Sequence, residues 1–96
     1  MEFLIHREDG LTLGLDASRY AAVLRPTSLA CRLVAGWGAH RIEVQGCPIA
    51  FGFGPEGVTV TFQNWLLPEE VMVRIASEIA ANVSKELGVP VRATEQ

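Results

Sequence analysis

Apolar and polar residues alternate through most of the first two thirds of the chain, the two-residue period of strands that bury one face. Leu11, Leu13 and Leu15 alternate with Thr12 and Gly14. Asp9-Gly10 just before them is a dipeptide that favours the type I′ turn, whose two central positions both take positive φ. The pattern predicts a hairpin of residues 2–8 and 11–15. Leu29, Cys31, Leu33 and Ala35 give a further strand over 28–35, with Arg32 on its other face, broken by Gly36-Trp37-Gly38. Arg41 to Gln45 resumes the alternation, with Ile42 and Val44 inward, and Gly46-Cys47-Pro48 reads as a turn. Ile49, Phe51 and Phe53, then Val58, Val60 and Phe62, complete a meander of short strands.

The last third changes period. Met72, Ile75, Ala76, Ile79, Val83 and Leu87 recur at spacings of three and four and form one apolar stripe of a helix. Arg74, Ser77, Glu78, Lys85 and Glu86 lie off it. Pro68 suits the first turn, Glu69 and Glu70 complement the positive end of the helix dipole, and Gly88 stops the helix. Residues 89–93 form a short strand that Pro90 confines to a sheet edge. Trp65, with Leu66 and Leu67, is expected to close the core between sheet and helix. "DASRYAAVLRP" (16–26) fits either a short helix capped by Asp16 or Ser18 and ended by Pro26, or an extended segment; the helix is the preferred reading. The fold class is α+β, a mostly antiparallel sheet packed on one long C-terminal helix.

"GFGPEG", residues 52–57, matches the glycine spacing of a dinucleotide-binding loop, Gly52-x-Gly54-x-x-Gly57. Such a loop needs a helix after its glycines, because the helix N-terminus holds the pyrophosphate. Here Val58-Thr59-Val60-Thr61-Phe62 follows, a strand by period and composition, and Pro55 removes an N–H from the loop. The segment is expected to be a hairpin, and no cofactor is expected.

At 96 residues, 49% of them hydrophobic, the chain has the length and composition of one globular domain. Met1-Glu2-Phe3-Leu4-Ile5-His6-Arg7 does not resemble a signal peptide, and no stretch approaches the roughly 20 apolar residues of a membrane span. A cytoplasmic location without membrane attachment is expected. Cys31 and Cys47 then read as thiols that fill apolar space, with a disulfide the lesser alternative. The net charge of −3 is unevenly spread. Arg19, Arg25, Arg32 and Arg41 are the only charged residues between Ala17 and Ile42, and the acid excess lies on both sides of them. An acidic total argues against nucleic-acid binding, which depends on neutralising phosphates.

His6 and His40 lack the neighbours of a catalytic motif, and together with Cys31 and Cys47 they lack the close spacing of zinc ligands. Neither catalytic nor metal-binding residues are assigned. Trp37 stands between two glycines inside the basic segment, where it serves either as a lid over the sheet end or as an interface residue. With Arg32, Arg41 and Glu56 it forms the candidate protein interface, since tryptophan and arginine are the types that most often carry binding energy.

Val58 to Phe62, Trp65, the helix with Ile75, Ile79, Asn82 and Val83, then Gly88 and Val89-Pro90-Val91 resemble the C-terminal arrangement of small immunity proteins of bacterial polymorphic toxin systems. The resemblance covers about a third of the chain and carries over no functional residues. It implies a stoichiometric inhibitor that occludes a toxin and has no chemistry of its own. The expected function is therefore a non-catalytic protein-binding module whose partner is another protein, a toxin among the candidates. The alternatives are a small-ligand or enzymatic α+β domain, which would show a deep polar pocket, and a structural homodimer joined through a sheet edge or the helix.

Overall fold

The computed structural model describes residues 1–34 and 40–96. Six strands form one antiparallel sheet: β1 (Glu2–Arg7), β2 (Arg32–Leu33), β3 (Arg41–Val44), β4 (Cys47–Gly54), β5 (Gly57–Phe62) and β6 (Val91–Glu95). Their spatial order is β2-β3-β4-β5-β1-β6. A short helix, α1 (Tyr20–Val23), and a long one, α2 (Glu69–Leu87), complete the α+β architecture.

The alternation read from the sequence sets the layering. Phe3, Ile5, Ile42, Val44, Ile49, Phe51, Val58, Val60 and Phe62 are all buried on one face of the sheet. The register stacks them across strands, Ile42 beside Ile49, Ile49 beside Phe62, Phe51 beside Val60, and Val60 beside Phe3. Met72, Ile75, Ala76, Ile79 and Val83 of α2 supply the other half of this core, joined by Val23, Leu24 and Leu67. Along the opposite face run Glu2, Leu4 and His6, Thr59 and Thr61, Ala50 and Gly52, and Arg41 and Glu43, the positions that alternate with the core. No helix among the described residues is long and apolar enough to cross a membrane.

Residues 52–57 form a hairpin. Gly54 pairs with Gly57 across the Pro55-Glu56 turn, and the ladder continues through Phe53–Val58 to Ile49–Phe62. At the end of α2, Gly88 takes a left-handed φ of 69° and returns its N–H to the Ser84 carbonyl at 2.8 Å, as a helix stop requires. The terminal strand is an edge strand, beginning at Val91 rather than at 89. The 16–26 segment is helical: the Asp16 side chain accepts from the Ser18 N–H and leads into a 3₁₀ turn at Ala17–Arg19 and then α1.

Four expectations are corrected. Residues 11–15 form no strand. The chain does turn here, but about Glu8 and Asp9 rather than Asp9 and Gly10: the Gly10 N–H donates to the Arg7 carbonyl, the Leu11 N–H donates to Asp9 Oδ1, and Asp9 lacks the positive φ of a type I′ turn. Both edges of β1 are already taken, however, by β5 on one side and β6 on the other. Leu13 is buried without a ladder. Of the strand expected over 28–35, whose last residue lies outside the described residues, the part over 28–34 is reduced to Arg32–Leu33, opposite Glu43 and Ile42. Its first residues are engaged elsewhere, because the Thr27 and Ser28 N–H groups both donate to Glu78 of α2. Leu33 is exposed rather than inward, at the sheet edge far from β1 and β6, where α2 packs. The turn before β4 is Gln45-Gly46, both at positive φ, so Cys47 opens the strand instead of sitting in the turn. Trp65 does not close the core; it is exposed.

Candidate protein-interaction surface

Between β5 and α2 the chain has two buried anchors, Phe62 and Leu67. The residues between them must bridge the end of the sheet and the start of the helix. Asn64 fixes that bridge from both sides. Its Oδ1 accepts the Leu66 N–H at 3.0 Å, and its Nδ2 donates to the Gly46 carbonyl at 3.3 Å. The Cys47 thiol donates to the Asn64 carbonyl at 3.8 Å. A side chain that bonds its own backbone two residues on makes a tight turn, and the turn leans on the β3–β4 hairpin. Gly46 closes that hairpin at a φ of 83°, which favours glycine, and Leu66 Cδ1 lies close enough that a Cβ there would make an ordinary contact with it.

The consequence is an apolar tip on a braced support. Trp65 is 71% exposed and Leu66 67%. Leu67 then dives into the core, and Pro68, extended, caps the start of α2, its carbonyl accepting the N–H groups of Val71 and Met72. Glu69, Glu70 and Val73 follow at the start of the helix and line a shallow depression. The acids are exposed and Val73 is 41% exposed. The tip thus presents a large amphipathic ring and an adjacent leucine, and two exposed carboxylates follow at the start of the helix.

The residues singled out from the sequence fall elsewhere. Trp37 lies outside the described residues. Arg32 and Arg41 share the open face of the sheet, with Glu43 between them: Glu43 follows Arg41 by two residues on β3, and Arg32 is its cross-strand partner. Both guanidinium nitrogens Nε and Nη2 of Arg32 reach the Glu43 carboxylate at 3.1 Å. That bond and the nearby negative charge raise the arginine's pKa above its ordinary value. Glu56 is exposed in the β4–β5 turn, roughly 15 Å along β4 from Ala50, the residue that faces Arg41. The structure brings the two arginines together and leaves Glu56 apart from them. The Trp65–Leu66 tip was missed because tryptophan beside two leucines has the composition of a core segment. Asn64, one residue earlier, was the available signal for a turn.

A cavity of about 570 Å³ is an open groove between α1 and α2 lined by Arg19, Arg25, Thr27, Asn82, Lys85 and Glu86 among others. Several of its polar groups are engaged within the protein. Arg19 makes paired 3.1 Å bonds to Glu86, and Asn82 Nδ2 donates to the Arg25 carbonyl at 2.9 Å. Buried polar side chains without partners do not occur among the described residues. His6 bonds Thr94 and the Arg7 carbonyl, and His40 bonds the Leu24 carbonyl. Cys31 and Cys47 are free thiols. Among the described residues no cluster of three or more His, Cys, Asp or Glu is arranged to hold a metal ion.

No protein-family model matches the chain, and neither a curated protein nor a solved structure shows significant similarity to it.

Proposed function

We propose that this chain is a non-catalytic protein-binding module that docks a basic protein through Trp65 and Leu66. The observation that carries the reading is a tryptophan 71% exposed on a hydrogen-bonded turn. A ring of that size presented rigidly loses little freedom on binding, and tryptophan is enriched among residues that dominate interface energetics. Glu69 and Glu70, exposed at the start of the helix that follows it in the chain, favour with the net charge of −3 a cationic counterpart and speed its approach. Taken with the resemblance of the C-terminal third to immunity proteins, the partner is a toxin-class protein that the module occludes stoichiometrically.

The test compares wild type with Trp65→Ala as baits in the native host's extract. A basic protein retained by wild type and lost with the variant, at unchanged melting temperature, supports the reading. Equal retention by both baits, or a variant that melts well below wild type, removes Trp65 from the interface.

A further inference from the structure

β6 lies at the edge of the sheet, and its hydrogen bonds show which backbone groups remain available there. The Gln96 N–H donates to the Glu2 carbonyl at 2.9 Å, and the Glu8 N–H to the Pro90 carbonyl at 3.1 Å. In an antiparallel pair, bonded and non-bonded positions alternate. With Leu4 opposite Thr94 and His6 opposite Arg92, the residues that bond β1 are therefore Pro90, Arg92, Thr94 and Gln96. The N–H and C=O groups of Val91, Ala93 and Glu95 point away from the sheet. No strand among the described residues pairs with that side.

Edges of this kind are commonly blunted by shortness, charged side chains, a bulge or a proline within the strand. The opposite edge of the sheet, β2, is only two residues long. β6 has five residues and no proline, and its two charges, Arg92 and Glu95, lie on opposite faces of the strand. Pro90 precedes it at a position whose missing N–H would have faced β1, so the outer groups are untouched.

We propose that β6 pairs antiparallel with β6 of a second copy of this chain, about a two-fold axis at Ala93, to make one continuous sheet. The sequence selects that register. Ala93 meets its own equivalent and exchanges both backbone bonds with it, and Val91 does the same with Glu95 of the second copy. Arg92 stands opposite Thr94 on the open face, so no like charges oppose each other. A two-fold at Glu95 sets two carboxylates face to face, and one at Val91 carries the pairing out of the strand past Pro90. The helix side admits the second copy as well: Ser77, Ala80 and Ala81 of α2 border β6 along a groove that continues onto Val91 and Ala93. Small side chains there let the two α2 helices approach across the axis.

Sedimentation equilibrium across a wide concentration range, with amide hydrogen exchange, tests this. The dimer protects the amides of Val91, Ala93 and Glu95 in proportion to its population, and those of Arg92 and Thr94 are protected at all concentrations. Thr94→Arg, on the open face, sets a new guanidinium opposite Arg92 of the other copy, twice over by symmetry, and should weaken the dimer about tenfold. Thr94→Glu creates opposite-charge pairs and should strengthen it. Ala93→Pro deletes the central outward donor without touching the β1 ladder, and should leave a folded monomer. The proposal is overturned by a monomer at every concentration. It is equally overturned by a dimer whose Val91, Ala93 and Glu95 amides exchange freely, or by one indifferent to both Thr94 substitutions.

Discussion

A Cβ built on Gly57 runs into the Ile5 carbonyl oxygen, at a φ of +148° that L-residues rarely adopt. The glycine that the dinucleotide spacing made conspicuous is there so that β1 can lie flat against the β4–β5 hairpin. Gly57→Ala should cost about 2–4 kcal/mol in urea unfolding, through clash and backbone strain together; a loss below half of that would mean the strands can part at this point without penalty. Ile79, fully buried on α2, should lose on the order of 2–5 kcal/mol when cut to alanine. Trp65→Ala, by contrast, should change stability by no more than about 0.5 kcal/mol, since the ring covers little of the core. The contrast between Ile79 and Trp65 marks how far single residues could be read. Periodicity identified Ile79 correctly because its neighbours at three and four residues repeat the signal. Trp65 had no period to belong to, and hydrophobicity alone pointed it inward.

At the scale of elements, α2 carries a second pattern that the apolar stripe obscured. Glu78, Asn82 and Glu86 recur every four residues and act as a polar ladder holding the 19–28 segment. Glu86 pairs with Arg19, Asn82 donates to the Val23 and Arg25 carbonyls, and Glu78 accepts from the N–H and hydroxyl groups of both Thr27 and Ser28. Partial burial on its own would raise the Glu78 pKa, but the bonds from Ser28 and Thr27 outweigh it and bring the group down to about 2. A carboxyl depressed on folding contributes stability above its unfolded pKa of 4.5 and loses it as pH falls towards 2. Glu78→Gln should therefore be less stable than wild type by about 1–2 kcal/mol at pH 6, after allowance for solvent screening. The gap should close on titration from pH 5 to pH 2; a gap independent of pH would assign the effect to shape rather than charge. This ladder was not legible because glutamate and asparagine off an apolar stripe look like any solvated face. Their partners are backbone and side-chain groups 50 to 67 residues upstream, which no local pattern announces. The first hairpin failed for a related reason: the chain does turn after β1, one residue earlier than expected, but pairing depends on whether β1 has a free edge, and that is decided by β5 and β6.

The whole molecule follows from that competition for β1. Its ladder partners are Val58–Thr61 and Val91–Glu95, the far parts of the chain. The two-layer α+β architecture was readable because strand period and helix period occupy separate thirds of the sequence. The strand order was not, since nothing local specifies that the first strand inserts between the fifth and the last. Such non-local pairing makes the fold dependent on its C-terminal third for more than the helix itself. Removing residues 68–96 strips α2 from the apolar face formed by Phe3, Ile5, Phe51, Val58 and Val60, and opens the outer edge of β1. A lone sheet with one uncovered hydrophobic face lacks the second layer that a stable domain needs. A fragment of residues 1–67 should accordingly show no cooperative thermal transition by circular dichroism, whereas the full chain melts cooperatively. It should also bind a hydrophobic dye in proportion to the face laid bare. A sharp transition in the fragment would show that β3, β4 and β5 with α1 close a core by themselves, and α2 would then be an appendage free to serve binding rather than the element on which the sheet is built.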